Sequence, residues 1–467
     1  MTLSLTREPK TQQTEIAKAV ARLDAWLDTM RWEDPVTGLR GYGGPVSHWW
    51  RSSLLYAGPG LDWRYEGIIA GYLNLWRRTG DLPWLDKAIR AGDDLVHGQL
   101  EDGHFAASAF EANPATGGTP HEASCDIGLL LLAKELRDLD IKKVTGSTRV
   151  TKNDDGRGPV ADWRRYSEVA ERNLRAYYLD KLWDRWAGYL RDHPREASFV
   201  PNKAATASEA FFLMAELSDE DRWIERYALP NLEKILEHQV REGAPLQGAI
   251  AQNSFGTRIV EKYFPYYIAR CVPALVQGYQ FTGDDRFIDA ALAAMSFIAR
   301  HTYPDGSPPQ VVYPGGQNNR YPSWVAPLAD VLRAADLLKP YGFDIDLSPL
   351  ESRLLDGQDQ SGGFQTATGF AAQTGGQPPS LPDVRDVLHV VGWCDKVFRY
   401  LSEKTGSFQL EELRAGDFEA GCVFQGRQMN LKETMGRLEI SADNQNLYLW
   451  CKSESWPRVS APEFWMR

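Results

Sequence analysis

One phrase recurs in this sequence and constrains its fold more than any other feature. The run Thr79-Gly80-Asp81-Leu82-Pro83-Trp84 returns as Thr282-Gly283-Asp284-Asp285-Arg286-Phe287, and a looser copy begins at Leu217. Each copy leads into a stretch with the apolar spacing of a helix, followed by a glycine-centred turn and then by another helix. Helix pairs that recur at a period of tens of residues are typical of a repeat architecture.

Helical periodicity extends along most of the chain and predicts twelve helices. The first is expected over residues 14–32, with Ile16, Val20 and Leu23 on one face. The other eleven are expected to begin near Asp62, Leu82, Thr119, Val160, Asn202, Asp219, Thr257, Asp284, Pro322, Leu347 and Leu381. Three residues at predicted starts, Asp81, Asp284 and Ser380, have side chains suited to capping the first turn.

Six glycine-bearing turns lie between the odd and even helices and recur about every sixty residues. Their glycines are Gly38, Gly103, Gly188, Gly248, Gly306 and Gly362. The longest interval contains a polar insertion, residues 142–159, which we expect to be a surface loop.

Twelve helices in six pairs with six equivalent turns resemble the (α/α)6 toroid, the fold of many glycoside hydrolases, polysaccharide lyases and sugar epimerases. The resemblance covers roughly residues 14–405 and lies in the architecture and the Thr-Gly-Asp phrase, so it picks out no single family of that group. It implies a mainly α catalytic domain, residues 1–405, built as six helical hairpins in a closed ring. An open helical solenoid is the alternative architecture.

The sequence changes in character after Thr405. Residues 421–426, 436–440 and 446–451 are rich in β-forming residues and are separated by turn residues. Residues 406–467 are therefore expected to form a small β-rich C-terminal extension.

Composition and charge narrow the classes of partner. The net charge is −11 and no block rich in lysine and arginine offsets it, which argues against a nucleic-acid surface. Five widely spread cysteines without a C-x-x-C pair give no metal signature and fit reduced thiols in a cytoplasm. The sequence shows no secretory h-region and no apolar run long enough to span a bilayer, and it indicates no cofactor. It does not reveal the oligomeric state.

The resemblance implies a funnel at the end of the ring where outer helices hand over to inner ones. The six glycine turns and the first turns of the even helices would then line the site. The N-termini of those helices carry unpaired N–H groups and positive dipole ends, which favour anionic or oxygen-rich ligands. We refer to these segments as the six outer-to-inner connections.

Two pairs of carboxylates lie at these connections. Asp62 and Glu66 are four residues apart, as are Glu122 and Asp126, so each pair shares a helix face. Two carboxyl groups in one pocket can divide acid and base roles, because like charges raise one of the two pKa values. The structural alternatives are that Asp62 caps its helix, that Glu66 pairs with a nearby arginine, and that Glu122 only complements a helix dipole.

Polar and aromatic residues at the connections complete the candidate set. The candidate catalytic residues are Asp62, Glu66, His121, Glu122, Tyr263, Arg320, Tyr321 and Asp383. The candidate substrate-binding residues are His48, Trp49, Trp50, Trp63, Arg64, His104, Asn253, Gln317, Asn319, Trp324 and His389. The tryptophans suit the apolar C–H faces of sugars. His389 lies between aliphatic residues, so a structural role in the core is the alternative to substrate binding.

These residues support one main functional hypothesis. The chain is expected to be a carbohydrate-active enzyme that cleaves a glycosidic bond in an oligo- or polysaccharide. It would act by Asp/Glu acid–base hydrolysis or by Tyr- or His-based elimination at a uronate. A sugar epimerase or isomerase of the same fold is the alternative. A terpene-cyclase-like toroid ranks lower because the D-x-D-D and D-D-x-x-D motifs are absent, and a non-enzymatic binding solenoid is the remaining reading.

Overall fold

The computed structural model describes residues 10–34, 37–46, 55–57, 59–106, 122–144, 162–359, 361–373, 386, 389–405, 421–424, 427–434, 437–442 and 445–451. The helices, strands, contacts and absences given below are those of this described part of the chain.

The described chain is mainly helical. The α-helices are α1 Lys10–Thr29, α2 Arg64–Thr79, α3 Leu82–Gly98, α4 Ala123–Val144, α5 Trp163–Asn173, α6 Pro201–Ser218, α7 Leu229–Glu237, α8 Pro265–Ala269, α9 Val272–Thr282, α10 Asp285–His301, α11 Leu328–Leu338, α12 Ser348–Asp356, α13 Phe370–Gln373 and α14 Val391–Lys404. Two π-helical segments, Leu174–Leu182 and Ile224–Ala228, extend α5 and precede α7.

The recurring Thr-Gly-Asp phrase forms the connection from an inner helix to an outer one. At the end of α2, Thr79 Oγ1 donates to Leu75 O at 3.0 Å and accepts from Asp81 N at 3.1 Å, while Gly80 has φ 74°. At the end of α9, Thr282 and Gly283 repeat this geometry, with φ 69° at the glycine. A positive φ ends a helix at little cost only for residues such as glycine.

The predicted capping residues behave differently from one another. Asp284 accepts a hydrogen bond from Arg286 N at 3.0 Å and therefore caps α10. Asp81 makes no such bond to α3, where Pro83 in the first turn leaves one fewer N–H group to satisfy. In the looser copy of the phrase, Asp219 takes the left-handed conformation, with φ 56°, in place of the glycine. Ser380 lies outside the described residues.

Six inner helices form a closed ring. Helix α2 contacts α4, α4 contacts α6, α6 contacts α9, α9 contacts α11, α11 contacts α14, and α14 contacts α2. The remaining long helices, α1, α3, α5, α7, α10 and α12, lie outside this ring, each packed on an inner helix. The fold is therefore the (α/α)6 toroid that the sequence predicts, and the solenoid alternative is wrong because the last inner helix packs on the first.

Close helix packing joins the two ends of the ring. A Cβ atom on Gly67 would lie 2.2 Å from Asp395 O, and one on Gly71 would lie 2.3 Å from the Phe398 ring. Only glycine permits this approach of α2 and α14. Gly67 N also donates to Asp395 Oδ2 at 3.2 Å, and Asn74 Nδ2 donates to Arg399 O at 3.3 Å.

Short antiparallel strands lie mostly within the outer-to-inner connections. They are β1 Arg31–Glu33, β2 Arg40–Tyr42, β3 Gly44–Val46, β4 Leu55–Ala57, β5 Trp183–Asp184, β6 Tyr189–Leu190, β7 Ser198–Phe199, β8 Asn253–Phe255, β9 Arg258–Val260, β10 Val311–Val312, β11 Asn318–Asn319, β12 Ser323–Trp324 and β13 Ala367–Thr368. They pair as β1–β2, β3–β4, β5–β6, β7–β8–β9, β10–β11 and β12–β13. The helix expected from Thr257 is wrong: Gly256, with φ 56°, turns β8 into β9, and α8 begins only at Pro265.

Beyond the toroid, four strands form an antiparallel meander. They are β14 Gly421–Phe424, β15 Arg427–Thr434, β16 Arg437–Ala442 and β17 Gln445–Cys451, paired in chain order. Among the described residues, none of the helices combines the length and the apolar character needed to cross a membrane.

Candidate functional site

The start of α2 is held by an ion pair between close neighbours in sequence. Asp62 Oδ1 accepts from Arg64 Nε at 2.7 Å and from Arg64 N at 3.2 Å, and both side chains are buried. Arg64 also donates to Tyr42 O at 2.7 Å, which ties the helix start to strand β2. Asp62 thus orders the first turn of α2, and Arg64 neutralises it.

Glu66 occupies the centre of a buried ion network between the inner helices. It accepts from Arg270 Nη2 at 2.9 Å through both oxygens, from Ser124 Oγ at 2.9 Å, and from Arg399. Arg270 also pairs with Glu209, and Arg399 donates to Asp330 Oδ1 at 2.5 Å. The inner helices α2, α4, α6, α11 and α14 each contribute a residue to this network, and Arg270 lies between α8 and α9.

The charge state of Glu66 follows from these partners. Burial alone would raise its pKa, but the guanidinium groups of Arg270 and Arg399 outweigh burial, so the pKa lies well below its ordinary value. A carboxylate that stays ionised and is fully hydrogen-bonded is poorly suited to donating or accepting a proton near neutral pH. The geometry favours a structural role for Glu66.

Glu122, at the start of α4, belongs to a polar cluster with an accessible histidine. Its oxygens lie 3.1 and 3.2 Å from His104 Nδ1, and it accepts from Phe105 N at 3.2 Å and from Asn173 Nδ2 at 2.6 Å. Glu122 is buried, whereas the His104 side chain is 25% exposed and contacts the Tyr177 ring, with 4.0 Å between centroids and 55° between the ring planes. The hydrogen bond to Glu122 raises the pKa of His104 despite partial burial.

Asp126 lies one turn further along α4 in very different surroundings. It is fully buried, and neither carboxyl oxygen has a hydrogen-bond partner among the described residues. Burial, and then the negative charge of Glu122, raise the pKa of Asp126 well above its ordinary value. The structure therefore favours a protonated carboxyl group at this position.

Three of the four carboxyl groups in the predicted pairs lie near one buried thiol. Cys125 Sγ donates to Asp62 O at 3.1 Å. Burial, followed by the charges of Asp126, Asp62 and Glu122, raises the pKa of the Cys125 thiol. The N-terminal turns of α2 and α4 thus bring three carboxyl groups together, as the sequence analysis expects for neighbouring connections.

An aromatic cluster lies at the same end of the ring. Trp393, in the first turn of α14, contacts Trp63 at 5.1 Å and Trp324 at 5.4 Å between ring centroids. Tyr266 in α8 contacts Trp324 at 5.1 Å and Trp393 at 6.0 Å. The sequence predicts Trp63 and Trp324 at the site, and Trp393, which sequence reasoning misses, joins them.

Residues of the fourth and fifth connections mostly contact one another. Arg320 pairs with Asp305, lies over the Tyr303 ring at 4.6 Å, and lies 5.7 Å from the ring of the predicted Tyr321. Asn319 Nδ2 donates to Gln310 Oε1 at 3.2 Å. The remaining predicted residues here contribute to strand pairing or to the core. Gln317 O accepts from Tyr313 N, and Asn253 in β8 pairs with Val260 in β9. The buried Tyr263 packs on Phe297.

His389 is buried in a tight polar pocket at the sixth connection. Its Nε2 lies 2.7 Å from Asp359 Oδ2, and its ring meets Trp26 edge-on at 6.0 Å. A Cβ atom on Gly363 would lie 2.5 Å from the imidazole ring. This packing agrees with the core alternative for His389. The predicted His48, Trp49, Trp50, His121 and Asp383 lie outside the described residues.

Within the described part of the chain, no group of three or more His, Cys, Asp or Glu side chains has the arrangement needed to hold a metal ion.

Solved structures with this fold include several carbohydrate-active enzymes. The chain is similar to a D-mannose isomerase (TM-score 0.57, 10% identity, covering 85% of this chain and 100% of the other). It is similar to an unsaturated glucuronyl hydrolase specific for heparin (TM-score 0.54, 12% identity, 84% and 96% covered). A third is the unsaturated glucuronyl hydrolase from Bacillus sp. GL1 (TM-score 0.53, 12% identity, 84% and 95% covered).

These likenesses establish the toroid fold that carbohydrate-active enzymes of several activities share. No protein-family model matches the sequence, and no curated protein matches it.

Proposed function

We propose that this protein is a carbohydrate-active enzyme that cleaves a glycosidic bond, with Asp126 as the group that gives a proton to the substrate. The observation that carries the proposal is the state of Asp126: a buried carboxyl group, without a hydrogen-bond partner among the described residues, at the N-terminal end of an inner helix. A general acid must be protonated at the working pH, and burial beside another carboxylate is how proteins keep it so.

The proposed hydrolysis balances with the groups around Asp126. The proton of Asp126 passes to the glycosidic oxygen as the bond between that oxygen and the anomeric carbon breaks. Water adds to the anomeric carbon and gives up a proton to Nε2 of His104, whose Nδ1 faces Glu122. A carboxylate on one ring nitrogen fixes the other as the acceptor. Asp126 has no exposed surface, so substrate binding must include a rearrangement that brings it to the reacting oxygen.

The aromatic cluster supports a saccharide as the substrate. Trp63, Trp324 and Trp393 lie at the end of the ring that contains Asp126, and Trp63 is the more exposed of the three. Pyranose rings present C–H faces that pack on aromatic rings, while their hydroxyl groups need polar partners at the edge. Trp63 therefore supplies the accessible aromatic face for a sugar ring, while Trp324 and Trp393 are buried.

A second candidate function is isomerisation of a free sugar, and the His104–Glu122 pair favours it. An isomerase must remove a proton next to a carbonyl group, which a partly exposed histidine backed by a carboxylate can do. One structural neighbour is a D-mannose isomerase. Elimination at a uronate needs the same kind of base, so His104 would serve there as well.

We propose further that the protein works in the cytoplasm and that residues 1–405 form the catalytic domain. Cys125, Cys271 and Cys394 are buried free thiols, which supports a reducing compartment. The C-terminal meander, residues 421–451, is separate in sequence from every residue of the candidate site.

A screen of oligosaccharides with mass detection tests the proposal. Purified protein is incubated with neutral and uronate-bearing oligosaccharides, and products are analysed by mass and by ultraviolet absorbance. Hydrolysis yields fragments whose masses sum to the substrate plus one water. Elimination yields fragments without added water and a new conjugated chromophore, and isomerisation leaves the mass unchanged. If the protein cleaves no glycosidic bond in any of these substrates, the proposal is contradicted.

A further inference from the structure

A tryptophan at the tip of one outer-to-inner connection is completely exposed. Trp186 lies in the turn between β5 and β6 and has 100% of its surface accessible. The other large apolar side chains exposed among the described residues are 40–48% accessible. Trp186 therefore adds nothing to the core, and both faces of its indole ring are open for stacking on a ligand.

The hairpin orders the backbone at Trp186. Asp184 Oδ1 accepts hydrogen bonds from Trp186 N and from Ala187 N, both at 2.9 Å, and Gly188 closes the turn with φ 72°. At the base of the hairpin, Trp183 packs edge-on against Tyr227 at 5.1 Å. Because the backbone of the turn is ordered, only the two side-chain torsions of Trp186 remain to be fixed when a ligand binds.

The Trp186 hairpin adjoins the candidate site. It joins the π-helical segment that follows α5 to inner helix α6, so it lies at the same end of the ring as the N-terminus of α4. Tyr177, in that segment, contacts His104 with 4.0 Å between ring centroids. Lys181, in the same segment, places its Nζ 3.9 Å from Asp102 Oδ2. This ion pair links the segment that precedes the hairpin to the turn that carries His104.

The surroundings of Trp186 distinguish a glycan from a protein partner. Its neighbours in the turn are Asp184, Arg185, Ala187 and Gly188, which form no contiguous apolar patch. A stable protein interface buries about 800 Å² on each side, far more than one indole provides. A single sugar ring needs only one aromatic face.

We infer that Trp186 is a distal stacking platform for an extended glycan whose scissile bond lies near Asp126. The inference rests on the proposed function and assigns to it a substrate class: chains long enough to reach from the ring opening to the third connection. A short substrate would occupy only the site near Asp126 and would not touch Trp186.

The test compares Trp186→Ala with Ile345→Ala on a short and a long substrate. Ile345 is 42% exposed but lies between α11 and α12, at the opposite end of the ring, so it controls for loss of an exposed apolar side chain. Trp186→Ala should raise KM for the long oligosaccharide roughly two- to tenfold with little change in kcat, and should leave the shortest cleaved substrate unaffected. Ile345→Ala should change neither.

Each other outcome has a definite meaning. Equal kinetics of Trp186→Ala and wild type on the long substrate, or an equal loss on both substrates, would overturn the inference while leaving the cleavage itself established. If the wild type cleaves neither substrate, the proposed function fails. Isothermal titration calorimetry with the long oligosaccharide then tests the role of Trp186 in binding independently of cleavage. Tighter binding by the wild type than by Trp186→Ala supports it, and equal or absent binding overturns it.

Discussion

Asp126 follows Glu122 by one turn of α4, yet the two carboxyl groups have opposite surroundings. Glu122 accepts hydrogen bonds from His104, Phe105 and Asn173, whereas Asp126 has no such partner among the described residues. Two carboxyl groups held apart in protonation state by their surroundings are the arrangement that acid–base enzymes use.

Replacing Asp126 by asparagine should make folding less sensitive to pH. Burial and Glu122 raise the folded-state pKa of Asp126 above the ordinary value of 3.8. The unfolded chain therefore loses this proton first, and the free energy of unfolding falls as pH rises from about 4 toward the folded pKa. The asparagine side chain cannot ionise. The melting temperature of Asp126→Asn should thus rise relative to wild type between pH 4 and pH 8, and a relative decrease would show that Asp126 is ionised and paired.

Replacing Glu122 by glutamine should move the pH–activity profile to lower pH. The charge of Glu122 raises the pKa of Asp126 and that of His104. Without it, Asp126 loses its proton at lower pH and His104 accepts one only at lower pH, so both limbs of the kcat/KM profile shift in the acidic direction. Glu101→Gln, at an exposed neighbouring position, is the control. If the pH–activity profile of Glu122→Gln does not shift, Glu122 does not influence the groups that exchange protons with the substrate.

Glu66→Gln tests whether the axial ion network is structural. Removing this charge leaves Arg270 and Arg399 partly uncompensated in the ring centre, and breaking a buried pair costs about 3–5 kcal/mol of unfolding free energy. The exposed pair Glu33–Arg40 is the control, and Glu33→Gln should cost less than about 1 kcal/mol. Chemical denaturation measures both. A stable but inactive Glu66→Gln protein would instead place Glu66 in the chemistry.

Trp63→Ala should weaken substrate binding more than catalysis. Trp63 is the partly exposed member of the aromatic cluster and packs on Trp393 at 5.1 Å. Loss of one stacking face should raise KM roughly tenfold while kcat changes little. Trp163→Ala, on an outer helix, is the matched control, and melting temperatures show whether either variant is unfolded. Equal effects of the two substitutions on KM would rule out a binding role for Trp63.

Many helix ends and starts can be predicted from the sequence because their signals are local, whereas closure of the ring follows only from the contact between α14 and α2. The Thr-Gly-Asp phrase specifies a helix end and a helix start within three residues, as at Thr282-Gly283-Asp284. Where local signals compete, the prediction is wrong: the residues after Thr257 pair with β8 because Gly256 turns the chain back. Helical apolar spacing alone does not distinguish a short strand from a helix start.

The candidate site is only partly predictable because partners are far apart in sequence. The spacing of Asp62 and Glu66 predicts a shared helix face, but α2 begins only at Arg64, and Arg270, which holds Glu66, is 204 residues away. The same holds for Trp393, which joins two predicted tryptophans from the last inner helix. The different surroundings of Glu122 and Asp126 depend on His104 and Asn173, and no local pattern indicates which carboxyl group is left without a partner.

The measurement that tests the account most directly is kcat/KM of Asp126→Asn and wild type on an oligosaccharide that the wild type cleaves. Asparagine fills the same space but cannot give a proton to the glycosidic oxygen. We predict a loss of about 10²–10⁴-fold in Asp126→Asn, in a protein that melts at or above the wild-type temperature at pH 7. Wild-type activity in the folded Asp126→Asn protein would contradict the central claim that Asp126 supplies the proton.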